Sequence, residues 1–124
     1  KAAEIRRVTP DDFAMLSGDD FTILPFIAAG GDGCVSVASN LVPERMVALI
    51  RAARGGDLAT SARENAALQP LFRALFLQTN PLPVKTAMAM QGLLEEGFRL
   101  PLCEMDAGPR AELARVLAEH PTEG

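Results

Sequence analysis

Two short apolar runs constrain the fold of this chain more than any other feature. Phe13–Ser17 and Cys34–Val37 have no polar face, and an acidic turn, an apolar segment and a glycine cluster lie between them. Strands of this kind are typical of a parallel sheet that is covered on both sides. The segment Phe21–Ala29 predicts the crossover helix that two parallel strands require. The stretch therefore predicts a βαβ unit.

The residues that flank the predicted crossover helix indicate how it begins and ends. Asp20 is placed to cap its start, and Gly30-Gly31 can end it in the left-handed conformation. The glycine cluster precedes a strand, so it lacks the helix N-terminus that attracts phosphate. Asp19 and Asp20 could instead form a paired-carboxylate acid/base site. We favour a cap for Asp20 and a position at the rim of the sheet for Asp19.

No further strand is predicted after Asn40, and the remaining patterns are helical. Helices are predicted from Pro43 to Gly55-Gly56, from Leu58 to about Leu77 with Asp57 as its cap, from Pro83 to Met90, and from Asp106 to Pro121. Two parallel strands cannot close a sheet by themselves. We therefore expect an α/β fold in which residues 1–56 end a barrel and residues 57–124 form a C-terminal helical region.

Composition excludes several functions. The chain has 124 residues and a net charge of -4, which disfavours a nucleic-acid partner. Its apolar runs are too short to span a membrane. Cys34 and Cys103 lack the paired spacing of a zinc site, so we expect two reduced and mostly buried thiols in a cytoplasmic protein. The single histidine, His120, is interpreted as a helix-end cation, and Arg6-Arg7 as a solvated helix end. No metal site is predicted.

Four motifs occur in a fixed order along the chain. They are LSGDD at 16–20, GGDGCVSVASN at 30–40, TNPLPVKTAM at 79–88 and FRLPLCEM at 98–105. Together they resemble the C-terminal half of the dihydrodipicolinate synthase family, which belongs to the pyruvate-dependent class I aldolases. The resemblance covers nearly the whole chain. It implies the last two strands of a (β/α)₈ TIM barrel followed by C-terminal helices.

The resemblance also implies a reaction. The family condenses pyruvate with aspartate semialdehyde to 4-hydroxy-tetrahydrodipicolinate in lysine biosynthesis. It uses a lysine Schiff base and a tyrosine proton relay, requires no cofactor, and is commonly a homotetramer or homodimer. The chain contains no tyrosine, and Lys1 is interpreted as a solvated helix residue. We therefore expect no catalytic residue in this segment and no activity from the segment alone.

The segment is expected to contribute substrate-binding positions instead. The family position that matches Val35 meets pyruvate through its backbone carbonyl. Gly18 matches a glycine beside the bound pyruvate, where the absence of a Cβ lets the backbone approach a ligand closely.

Three alternatives remain open at this point. N-acetylneuraminate lyase and 2-keto-3-deoxy sugar acid aldolase of the same family would use the same imine chemistry. A non-catalytic half-barrel would instead act as an assembly partner, because its sheet edges would pair with another chain.

Overall fold

The computed structural model describes residues 1–119 of the chain, so the predictions for His120 and Pro121 lie outside the described residues. The elements in chain order are helix α1 (Ala2–Val8), strand β1 (Leu16–Ser17), helix α2 (Ile23–Ala28), strand β2 (Gly33–Cys34), a 3-10 helix (Ala38–Asn40), and helices α3 (Pro43–Arg54), α4 (Leu58–Ala74), α5 (Leu82–Met90) and α6 (Ala107–Glu119).

The two strands pair in parallel and confirm the predicted βαβ unit. Leu16 lies opposite Gly33 and Ser17 lies opposite Cys34, with α2 as the crossover. Each strand is only 2 residues long, which is shorter than predicted. Within residues 1–119 this sheet has only these two strands, so the outer edge of each lacks a strand partner.

The two faces of this small sheet differ in burial. Ser17 is 7% exposed and Met15 is 4% exposed, because both face the helices. By the alternation of side chains along a strand, Leu16 and Val35 lie on the opposite face, where they are 55% and 70% exposed. The expectation that both runs would be covered on both sides is therefore wrong for these residues. Among residues 1–119, no element covers these two side chains.

The helices share one apolar core. Ile23 of α2, Leu49 of α3, Phe72 of α4 and Leu113 of α6 each have 0% exposed surface and belong to the same cluster. Phe21 contacts Phe72 edge to face, with ring centroids 6.2 Å apart. The crossover helix is therefore anchored on the C-terminal helices. The division at residues 56 and 57 stays a prediction.

Local helix-end predictions are largely confirmed. Asp57 caps α4 by accepting a hydrogen bond of 3.0 Å from the Thr60 N–H. Gly30 follows α2 with a φ of 96°, and Gly56 follows α3 with a φ of 81°. Both values lie in the left-handed region that glycine adopts without strain. The N-terminus of α2 differs from the prediction, because its N-cap residue is Thr22.

The interpretation of Arg6 as a solvated residue is wrong. Its guanidinium donates to the carbonyl of Gly30 at 3.0 Å and to Asp32 Oδ2 at 2.7 Å. The same carboxylate oxygen accepts the Met15 N–H at 2.8 Å. The Met15 N–H, followed by the Arg6 guanidinium, holds the pKa of Asp32 below its ordinary value. This cluster fixes α1 against β1 and the glycine turn.

Candidate substrate-binding site

A groove of about 550 Å³ lies at the carboxyl ends of β1 and β2. Gly18 and Val35 each follow their strand by one residue, so the parallel register places them side by side. The groove is lined by Gly18, Val35, Ser36, Val37, Asn40, Asn80, Pro81, Val84, Lys85 and Met88. The two predicted binding positions thus lie in one concave surface. In α/β barrels this end of the strands carries the functional site.

The backbone of the groove offers both an acceptor and space. The Val35 N–H donates to the Ser17 carbonyl at 2.7 Å, which extends the parallel ladder by one step. Among the turn, loop and side-chain hydrogen bonds of residues 1–119, none ends on the Val35 carbonyl oxygen. A Cβ at Gly18 would meet no atom within 4 Å. A ligand could therefore approach the backbone at Gly18 and an unused acceptor at Val35.

Asp20 binds the backbone of the loop after β2, part of which lines the groove, and does not cap α2 as predicted. Its side chain is 1% exposed, and its Oδ2 accepts the N–H groups of Val37 and Ala38 at 3.0 and 2.9 Å. It therefore caps the 3-10 helix that follows β2. A carboxylate reaches this helix because the parallel pairing brings the two strand ends together, which the local sequence does not reveal.

Asp19 binds the turn that leads into α2 and does not cap the helix itself. Its Oδ1 accepts the Phe21 N–H at 3.0 Å, and its Oδ2 accepts the Thr22 hydroxyl at 2.7 Å. Asp19 and Asp20 thus bind different sets of partners. The geometry favours two structural carboxylates over an acid/base pair.

Lys85 forms part of the groove wall. Its ammonium donates to the Gly97 carbonyl and lies 4.9 Å from the centroid of the Phe98 ring. It thereby holds the segment before α6 against α5. The sequence predicted a helix from Pro83 to Met90 and a family motif at 79–88, but it did not identify Asn80 and Lys85 as groove residues. Their spacing to Gly18 and Val35 along the chain gives no local signal.

The remaining candidates lie apart from the groove wall. Cys34 is half-buried, and this burial, assisted by the charge of Asp20, raises the pKa of its thiol. Cys103 is exposed, so the expectation of mostly buried thiols is wrong for this residue. Lys1 is exposed at the start of α1.

Within residues 1–119, no group of three or more histidine, cysteine, aspartate or glutamate side chains could hold a metal ion. No helix in the same range has the length and apolar character needed to cross a membrane.

Together, a parallel βαβ unit, an unclosed sheet within residues 1–119, a groove at its carboxyl edge and a following helical region define an α/β protein and fit the C-terminal part of an α/β barrel. The model of the dihydrodipicolinate synthetase family matches residues 1–120. A curated 4-hydroxy-tetrahydrodipicolinate synthase from Nitratidesulfovibrio vulgaris (strain DP4) is 47% identical over 118 residues, which are 95% of this chain and 40% of that protein. The chain belongs to the dihydrodipicolinate synthetase family.

Solved structures agree with this assignment and confirm the barrel fold class. Dihydrodipicolinate synthase from Aquifex aeolicus matches with a TM-score of 0.96 and 42% identity, over 98% of this chain and 41% of that one. The enzyme from Thermotoga maritima matches with a TM-score of 0.94 and 36% identity, over 98% of this chain and 42% of that one. The chain spans about 40% of the length of the curated relatives that it matches.

Proposed function

We propose that this chain forms the C-terminal part of a 4-hydroxy-tetrahydrodipicolinate synthase, a lyase of lysine biosynthesis. Curated relatives from Nitratidesulfovibrio vulgaris and Synechocystis carry this name. A relative from Acinetobacter baumannii, 30% identical, is described as complexed with pyruvate. The proposed reaction condenses pyruvate with aspartate semialdehyde through a lysine Schiff base. In this proposal, the Schiff-base lysine and the proton-relay tyrosine lie outside these 124 residues.

The single observation that carries the proposal is the juxtaposition of Gly18 and Val35 in the groove. We place pyruvate, or its covalent adduct, against these two residues. The missing Cβ of Gly18 allows close approach of the backbone. The Val35 carbonyl oxygen is an acceptor and therefore suits a donor group of the adduct. The roles of this chain are binding and orientation, which can supply a large part of a rate enhancement.

The exposed apolar face of the sheet supports the proposed organisation. Leu16 and Val35 face outward here, and further barrel strands would cover them. Residues 1–56 would then close the barrel, and residues 57–124 would brace it from outside. One solved relative is described as the first monomeric variant of a dihydrodipicolinate synthase. That description fits a family in which assembly is usual, and we propose a homotetramer or homodimer.

Reductive trapping tests the proposal directly. The product of the complete reading frame that contains this sequence, called the intact protein below, is incubated with pyruvate and borohydride and then mapped by mass spectrometry. We expect one pyruvate adduct, on a lysine outside these 124 residues. An adduct on Lys1 or Lys85 would contradict the assignment of the nucleophile. Absence of any adduct would contradict the imine mechanism.

Turnover assays decide the substrate. The intact protein is assayed with pyruvate plus aspartate semialdehyde, and separately with N-acetylneuraminate and a 2-keto-3-deoxy sugar acid. We expect activity with the first pair. Preference for either sugar acid would indicate another lyase of the same imine chemistry and would contradict the synthase assignment.

A mass measurement in solution tests the proposed assembly. An inactive protein found only in complex with a different chain would indicate an assembly partner.

A further inference from the structure

Asp20 is a buried carboxylate that joins the two loops of the groove. It follows β1 in the sequence, but it binds the backbone after β2, 17 and 18 residues further along the chain. Burial of a carboxylate is costly unless strong hydrogen bonds compensate it. Two charge-assisted bonds reach Oδ2, whereas the buried Oδ1 has no hydrogen-bond partner among the described residues.

Hydrogen bonds flank the Val35 carbonyl group on both sides along the chain. Val35 is tied on one side by its N–H, which donates to Ser17 at 2.7 Å. On the other side, the Val37 N–H is tied to Asp20 at 3.0 Å. The peptide group that carries the Val35 carbonyl lies between these two fixed points. Ser36 is also tied to Ser39 by two hydrogen bonds of 2.9 Å, so loss of the Asp20 bonds would loosen this peptide without freeing it completely.

We propose that Asp20 is a positioning residue for the pyruvate site and that it holds the Val35 carbonyl oxygen at the wall of the groove beside Gly18. This inference rests on the proposed function. Asp20 does not line the groove itself, so it acts through the backbone and not by contact with substrate. The side chain at position 20 must be a hydrogen-bond acceptor, because the consecutive N–H groups of Val37 and Ala38 both donate to its Oδ2 atom.

The experiment compares three variants of the intact protein. Asp20→Ala removes the acceptor, and Asp20→Asn keeps an acceptor of the same shape without the charge. Asp57→Ala is the matched control, because it removes another carboxylate that caps a helix but that does not line the groove. Each variant is assayed for the half-saturating concentrations of pyruvate and of aspartate semialdehyde, for the maximal rate, and for its thermal midpoint.

The expected result is a selective effect on pyruvate. A misplacement of about 1 Å at a site can reduce the reaction rate about 100-fold. Because the Val35 carbonyl is proposed to bind the pyruvate adduct, we expect Asp20→Ala to raise the half-saturating pyruvate concentration by about 10-fold or more. Asp20→Asn should raise it only about threefold, because a neutral acceptor retains roughly half of the hydrogen-bond strength. Asp57→Ala should lower the thermal midpoint and leave the pyruvate dependence unchanged.

Other outcomes separate this inference from the proposed function. If the wild-type protein forms no borohydride-trapped pyruvate adduct, the proposed function fails and the inference fails with it. If the wild-type protein is trapped but the Asp20 variants show unchanged pyruvate dependence, only the positioning role is refuted. Should Asp20→Ala fail to fold, the Asp20→Asn variant alone decides. Equal losses for both substrates would indicate a purely structural carboxylate.

Discussion

Replacement of Gly31 by alanine tests whether the turn between α2 and β2 is as closely packed as the structure indicates. A Cβ at Gly31 would lie 2.2 and 2.3 Å from two ring carbons of Phe26 and 2.9 Å from the Phe26 carbonyl oxygen. The Gly31 N–H donates to this same carbonyl at 3.0 Å. The backbone therefore cannot withdraw without loss of that hydrogen bond, and the ring must move away from the core.

The magnitude follows from these contacts. Overpacking of this kind costs about 1–3 kcal/mol, and loss of the hydrogen bond would add about 1 kcal/mol. We therefore expect Gly31→Ala to reduce the free energy of unfolding by about 2–4 kcal/mol. Gly18→Ala is the control, since a Cβ there meets open space within 4 Å. Its effect on stability should stay within about 0.5 kcal/mol.

The two variants should behave oppositely in two assays of the intact protein. Urea unfolding should show a lower midpoint for Gly31→Ala and an unchanged midpoint for Gly18→Ala. Under the proposed function, Gly18→Ala should raise the half-saturating pyruvate concentration by about 10-fold or more, because the new methyl group occupies the ligand's approach. Wild-type stability of Gly31→Ala would refute the packing argument. Unchanged pyruvate dependence of Gly18→Ala would refute the placement of the ligand.

Two further predictions concern charge and thiol chemistry. Because the folded-state pKa of Asp32 is lowered, its stabilising contribution is present above the unfolded pKa and is lost as the pH falls through the folded value. Arg6→Met should therefore destabilise the protein most near neutral pH. The difference in free energy of unfolding between this variant and wild type should shrink below about pH 4. A difference that stays constant with pH would exclude the ion pair with Asp32 as the cause. Cys103 is exposed, whereas burial raises the pKa of the Cys34 thiol. Iodoacetamide should therefore alkylate Cys103 about 10-fold faster than Cys34 at pH 8. Peptide mass mapping over time measures both rates, and equal rates would contradict the burial of Cys34.

The sequence by itself determined the features that depend on near neighbours. The cap of α4 involves Asp57 and Thr60, which are 3 residues apart. The left-handed ends of α2 and α3 require only glycine at Gly30 and Gly56. Parallel pairing follows from two apolar runs and a helix of sufficient length between them. The four motifs added the barrel family, because their order and spacing together are more specific than any one of them.

Only the tertiary structure decided which polar groups meet across the chain. Asp20 was expected to cap the helix beside it, yet it binds N–H groups 17 and 18 residues away. Arg6 was expected to be solvated, yet it binds Asp32 at a separation of 26 residues. Exposure of Leu16 likewise depends on which strands lie beside it. Helix periodicity and caps reflect interactions within about four residues along the chain. The partner of a long polar side chain depends instead on which loops the folded sheet brings within hydrogen-bonding distance.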